Sequence, residues 1–457
     1  MTDRAPAGGD VIPGITMRLA ERTAELSYRD LPADVVDVAR QCLKDWFAVT
    51  IAGADEALVA ILADELTTPA GDDGRTLVGL AGRASLLDAA LINGAASHAL
   101  DFDDVNLAMN GHPTVPVAAA VLALGEQIDA SGPDLLTAFV AGYEIECRIG
   151  RLVGGDHYRA GFHATATIGS FGAAAGCARL MGLDAATTAK ALGIAGTQAA
   201  GLKAMFGTMC KPLHAGRAAA NGLLAARLAA RGFTSRDDVL EAAQGFAATQ
   251  AGGTCRPDAA LAAPEGGFHL RHNLFKYHAA CYLTHSTIDA LQGLRRDASI
   301  AAEDVEAVSV QVDSGHLAVC AIAEPRTGLE CKFSLQQAAA LALSGDDTAS
   351  LDTYSDANAL RPDLVRLRAR VSVEAADRPG TWARTEVTLR NGQLLRAAAD
   401  VGIPAGDIGQ QGGRIDAKFQ ALAAPRLGAD RAARLAAAID GLAQAQSTRG
   451  LMALATA

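Results

Sequence analysis

The chain has 457 residues, half of them apolar and 4% aromatic, with 51 acidic against 40 basic side chains and a formal net charge of −11. That length suits two or three domains with a large core, and the lack of any Lys/Arg-rich run excludes nucleic acid as a partner. Residues 1–14, with Asp3, Asp10 and Pro13, read as no signal peptide, and no stretch of about 18 apolar residues reads as a membrane span, so a cytoplasmic protein is expected.

Abundant Ala and Gly favour closely packed helices over an aromatic-rich sandwich. From Leu31 onward, Ala39, Cys42, Leu43, Trp46 and Phe47 share one stripe of an amphipathic helix that Gly53 stops. Ser131, with Pro133 in the first turn and Asp134 three residues on, starts an almost wholly apolar helix running to Tyr143. Ser235 and Asp238 repeat that start signal.

The pattern changes after Ala263. Val308, Val310 and Val312 alternate with polar residues, 370–375 does the same, and Asn391-Gly392 supplies a two-residue hairpin turn with positive φ at both positions. Beyond Pro404 helical periodicity returns over 417–424 and 431–445, and that final segment is of a type to pack back on the first domain. The reading is mainly α with a smaller α+β domain: a helical body of 1–263 plus 404–457, and an α+β lid of 264–403.

Five polar clusters interrupt this apolar chain, where burial without partners is costly. The first, HALDFDDVNLAMNGHP, holds His98, Asp101, Asp103, Asp104, Asn106 and His112. Its carboxylates are of a kind that binds divalent cations, but no further acidic group completes a ligand set, so no metal is expected. An orienting Asp fits better, and His112 either faces a site or caps the next helix. In the second, His157, Tyr158, Arg159 and His163 lead into a Gly/Ala-rich helix whose N-terminus suits a carboxylate, with His163 the better proton carrier. A surface loop is the bland alternative.

The third cluster carries Lys211, His214 and Arg217, positive or titratable groups matching the charge of a polyacid unless they form a solvated face. The fourth carries Lys276, Tyr277, His278, Cys281 and His285; Cys281 is a nucleophile only if a histidine lies beside it, and otherwise a small buried thiol. The fifth offers Arg326, Thr327, Lys332 and Ser334, with Arg326 either a carboxylate clamp or merely solvated. The eight cysteines form no Cys-x-x-Cys pair, and no dinucleotide fingerprint, P-loop or Gly-x-Ser-x-Gly elbow occurs, so no cofactor is expected.

These motifs in this order resemble the MmgE/PrpD family, which includes 2-methylcitrate dehydratase, cis-aconitate decarboxylase and iminodisuccinate epimerase. The similarity runs through ASHALDFDD, GHPTVPVAAAVLALGE, GFHATATIGSFGAAAG, GTMCKPLHAGRAA, FKYHAACYLTHSTIDA and RTGLECKFS. It implies a helical domain from both chain ends, an α+β lid, a homodimer, and a cofactor-free site between domains acting on a small di- or tricarboxylic acid. By the resemblance Asp101, His112, His163, Lys211 and Lys276 occupy catalytic positions, with His214, Cys281 and Arg326 available to the substrate. Two departures stand out: Val105 replaces the Thr of the decarboxylase branch, and Cys281 replaces its His. They argue against cis-aconitate decarboxylation and leave the substrate open; proton abstraction beside a carboxylate with loss of water, of the 2-methylcitrate dehydratase type, leads because it is a common activity of the family. Epimerisation of an iminodisuccinate-like acid and non-catalytic polycarboxylate binding are the alternatives.

Overall fold

A computed structural model of the protein describes residues 14–66 and 74–457. The expectation of no signal peptide falls on the first residues, of which 1–13 lie outside that description. The chain is mainly helical and divides into two compact units. The first holds the described residues up to Ala99, Val105–Asn273 and Leu422–Ala457; the second holds Leu100–Asp104 and Leu274–Ala421. Residues 264–273, placed by the alternation pattern with the lid, thus fold with the first unit.

In the first unit the stripe read from Leu31 forms the helix Ala33–Gly53, and Ala39, Cys42, Leu43, Trp46 and Phe47 are all buried along it. Each large side chain removed from water in this way contributes about 1.5–3 kcal/mol. Ser131 caps the helix Gly132–Arg159 by accepting the Asp134 N–H, as its sequence signal requires. That helix runs well past Tyr143, and two of the polar residues that follow find partners inside the unit. Glu144 accepts the Leu270 N–H at 3.0 Å, and Arg148 donates to the carbonyls of Ala260 and Ala262. A break at Gly154, with φ 57°, then bends its last turns.

The start signal at Ser235 and Asp238 opens no helix there. Ser235 Oγ donates to the Arg236 carbonyl, and the Asp238 carboxylate is held by Arg236 at 2.7 and 2.5 Å. Both capping side chains are spent in this local turn, and the next helix is the short Phe246–Gln250.

Small residues set how closely the helices pack. Ala164–Leu180 lies against Gly132–Arg159, Thr114–Ile128 and Cys210–Ala230, and Leu86–His98 crosses Cys210–Ala230. At that crossing a Cβ on Gly216 would lie 2.1 Å from the Leu91 carbonyl oxygen, and one on Gly94 2.8 Å from the Gly216 Cα. Only hydrogen fits at either position.

The second unit contains a four-stranded sheet ordered Val371–Ala376, Val305–Asp313, Trp382–Leu389, Leu394–Asp400. The first pair is parallel and the other two are antiparallel. Val308, Val310 and Val312 turn to the buried side, as their alternation requires. The hairpin forms where Asn391-Gly392 marks it, but with a three-residue loop. Leu389 and Gln393 close it, the Gly392 N–H returns to the Leu389 carbonyl, and of the two marked residues only Gly392 has positive φ, 84°. Asn391 instead uses its side chain to accept the Gln393 N–H, which favours this bulged loop over the two-residue turn.

The helix Ile408–Leu427 begins in the second unit and ends in the first. Beyond it Ala429–Asp440 packs on Ala33–Gly53, with Lys44 and Asp440 paired at 2.6 Å, and Thr448 donates its N–H to the Ala130 carbonyl. Among the described residues no single helix is long and apolar enough to cross a membrane.

Candidate active site

Four histidines, each from a different helix or its approach in the first unit, meet around the crossing just described. His98 is the last residue of Leu86–His98, His112 precedes Thr114–Ile128, His163 is the N-cap of Ala164–Leu180, and His214 lies in the first turns of Cys210–Ala230. The His98 ring stands edge-on to His112, centroids 4.6 Å apart, and nearly parallel to His163 at 5.7 Å. His163 Nδ1 lies 3.1 Å from His214 Nδ1. One of these nitrogens must carry the proton and the other must accept it, so the two rings are coupled.

Backbone bonds fix the positions. The His163 N–H donates to the Gly201 carbonyl at 3.0 Å, and the His112 N–H donates to Thr165 Oγ1 at 3.1 Å. The N-cap position of Thr114–Ile128 is held by Pro113, one residue after His112. His157, from the same motif as His163, is a structural histidine. It bonds the Gln250 carbonyl through Nδ1 at 2.9 Å and Thr167 Oγ1 through Nε2 at 2.7 Å, which assigns the proton to Nδ1.

Electrostatics keep the His163 ring uncharged. Burial holds its imidazole well below the ordinary range, and the neighbouring His98, Lys211, His112 and His214 oppose a charge there as well. His214 is lowered too, first by burial and then by His98. Phe206 stands edge-on to His163 at 4.9 Å, and the Lys211 ammonium lies 5.1 Å from the centre of the Phe206 ring. Near neutral pH the group is therefore an uncharged acceptor beside a cation, the combination needed to take a proton while negative charge develops. Arg217, expected on the face of His214, is exposed.

In the second unit Lys276, 1% exposed, donates to the Asp101 carboxylate at 2.9 Å and to the Asp101 carbonyl at 2.6 Å. Asp101 adopts a left-handed backbone with φ 52°, a conformation that Asp tolerates and that Lys276 clamps at both ends. Lys418 continues the clamp, donating to the Phe102 and Lys276 carbonyls at 2.7 and 3.0 Å. Cys281 is buried near this pair, and a hydrogen bond from the Cys320 thiol lowers its pKa while raising that of Cys320. The histidines once considered as its activators are engaged elsewhere. His278 bonds Thr348 and Asp289, and His285 bonds the Ala280 carbonyl.

Arg326 is exposed, and its backbone N–H bonds Glu330 at 2.6 Å ahead of a helix capped by Thr327. Ser334, from the same motif, caps Leu335–Ser344. The structure thus places His112, His163, Lys211 and His214 in one neighbourhood of the first unit, and Asp101, Lys276 and Cys281 in one neighbourhood of the second. Sequence reasoning gave no role to His98, whose signal was a single histidine ending an apolar helix, nor to Phe206.

The MmgE/PrpD N-terminal domain matches residues 17–256 and the MmgE/PrpD C-terminal domain residues 278–444. A cis-aconitate decarboxylase-like protein of Aspergillus oryzae is 30% identical over 65% of this chain, and the cis-aconitate decarboxylase of Aspergillus terreus is 30% identical over 62%. The human cis-aconitate decarboxylase is 32% identical over 46%. The matched stretches cover 64%, 60% and 44% of these relatives, less than two thirds of each. With both of its domain types matched in order along most of its length, the chain belongs to the MmgE/PrpD family.

Proposed function

We propose that the protein is a cofactor-independent lyase that removes a proton beside a carboxylate of a small di- or tricarboxylic acid, with loss of water in the manner of 2-methylcitrate dehydratase. The observation that carries this reading is the desolvated His163, hydrogen-bonded to His214 in a group that also holds His98, His112 and Lys211. Neutral His163 takes the proton from carbon, and the electron pair left behind forms the alkene as hydroxide departs. His112, whose ring stands edge-on to His98 in the same group, gives that hydroxide its proton and releases water. Lys211 receives a substrate carboxylate. For Asp101, Lys276, Cys281 and Arg326 the proposal keeps the roles that family resemblance implies: Asp101 orients, and Lys276, Arg326 and Cys281 meet substrate. A homodimer in the cytoplasm is part of the same proposal.

Decarboxylation is the second reading, favoured by the names of relatives 30% identical to this chain. Val105 and Cys281, which depart from the decarboxylase pattern, weigh against it. Incubating the enzyme with a panel of polycarboxylates in D₂O and following each by NMR separates the outcomes. A hydro-lyase yields an alkene without loss of carbon, a decarboxylase releases CO₂, and an epimerase exchanges and inverts the α-position. His163→Ala is expected to slow proton abstraction by about 10²–10⁴. Undiminished turnover in that variant would remove His163 from the mechanism.

A further inference from the structure

We propose that the second unit binds a small, multiply charged oxyanion in a cavity lined by Arg366, Arg370 and Arg390. The cavity has a volume of about 470 Å³, within the size range of small-molecule pockets. It uses none of the residues proposed for catalysis, and the inference therefore goes beyond that reading. Its walls come from the loop before the strand Val305–Asp313, the end of the helix Leu335–Ser344, the helix Pro362–Arg368 and the hairpin loop.

Charge decides what the cavity prefers. Arg361 also lines it, but its guanidinium is spent: it grips Asp346 with two bonds of 2.8 and 2.6 Å and reaches Asp363 at 3.0 Å. Arg361 is thus shared between two aspartates and leaves that trio with one negative charge in excess. The four arginines and three acids of the lining leave one net positive charge, carried by the three guanidinium groups of Arg366, Arg370 and Arg390. A further cation stands behind the wall at Gly345, where a Cβ would come within 2.5 Å of the Arg295 guanidinium.

Two of the three arginines are already held in place by neutral partners. Arg370 donates through Nη1 to the Val305 carbonyl at 2.5 Å. Arg390 donates through Nε to the Glu303 carbonyl, and its backbone N–H to that of Asp304, both at 2.8 Å. A carbonyl anchor takes one of the five N–H groups and leaves the full positive charge, so much of the side-chain ordering cost is met before a ligand arrives. Planar guanidinium forks match the paired oxygens of phosphate and carboxylate. The rest of the lining is small or aliphatic, Ala302, Ser344, Gly345 and Leu367, with no aromatic face on which a nucleobase would stack. The ligand chemistry is thus a compact oxyanion of two or more charges, either a diphosphate or a tricarboxylate.

The test is calorimetric titration of the full chain with pyrophosphate and, separately, with citrate, at low and moderate salt. Wild-type protein is expected to bind at least one of them saturably, and Arg366→Gln/Arg390→Gln to bind it about tenfold more weakly or worse. Both substituted residues are exposed, so circular dichroism should report an unchanged fold. Binding of pyrophosphate alone identifies a phosphate ligand, and binding of citrate identifies a carboxylate. His163→Ala/Lys211→Met is expected to retain this binding. The proposal is overturned if neither anion binds, if the arginine variant binds as wild type does, or if binding is lost in the His163/Lys211 variant instead.

Discussion

Replacing Gly216 by Ala should destabilise the protein although it improves helix propensity. The added methyl would stand 2.1 Å from the Leu91 carbonyl oxygen and 3.0 Å from the Ala95 nitrogen, both backbone atoms of a packed helix. Ordinary van der Waals contact begins near 3.4 Å, so the two helices must separate by about 1 Å. Overpacking of this kind costs about 1–3 kcal/mol, and contact with backbone rather than a flexible side chain places it at the upper end. Propensity returns about 1 kcal/mol, leaving a net loss of about 2 kcal/mol. Gly413, exposed in the helix Ile408–Leu427 with nothing within 4 Å of its would-be Cβ, is the control, and its replacement by Ala should gain up to about 1 kcal/mol. Urea unfolding of both variants measures the difference, and turnover of Gly216→Ala should fall too, because His214 lies on the displaced turn. A Gly216→Ala protein as stable as wild type would refute the claim that this crossing sets the helix spacing.

His269 is buried, with its pKa depressed to about 3, first by burial and then by Arg148. The unfolded chain therefore binds the extra proton as pH falls below about 6.5, and stability is lost from there down to about 3. His269→Gln should flatten the acid limb of stability against pH by up to about 1.4 kcal/mol per unit, and an unchanged slope would show that the imidazole does not titrate this way. Glu144, raised to about 7 by burial, has the opposite sign: its folded form holds a proton longer, so stability falls as pH rises from about 4.5 to about 7, and Glu144→Gln should remove that decline. Lys211→Met and Lys276→Met should each lower kcat/KM by about a hundredfold or more, and normal kinetics in either would exclude that lysine from substrate binding. Turnover should survive exhaustive chelation; its loss, with recovery on adding one metal, would overturn the metal-free mechanism.

The elements most legible in the sequence were those written in local chemistry. Ser131 with Asp134 starts a helix because both ends of the capping contact lie three residues apart, and Val308, Val310 and Val312 declare a strand by alternation alone. The same code misled at Ser235, where a nearby Arg236 captured the carboxylate, a competition that spacing does not reveal. It also set the turn at Asn391 one residue short, since a side-chain acceptor decided between two loops open to the same dipeptide. His163 and His112 stood out in the sequence as candidates from their Gly- and Pro-flanked motifs. That His98 completes their group was not, because it depends on how closely Gly94 and Gly216 let two helices approach. The exposure of Arg326 and Arg217 was equally hidden, as a charged residue in a loop or on a helix reads the same whether or not it is covered.

The five residues Leu100–Asp104 belong to a unit whose remaining chain begins at Leu274. Lys276 reaches Asp101 across 175 positions, and Lys418 reaches Phe102 across 316. During synthesis this strip must wait for partners that leave the ribosome long after it does. Closing loops of that length is slow relative to forming local helices, so the clamp around Asp101 is among the last features the protein acquires. Excising 274–421 as an independent fragment would strip the buried Lys276 of both Asp101 oxygens and Lys418 of the Phe102 carbonyl, so the smaller unit has no contiguous stretch of chain that encodes it in full.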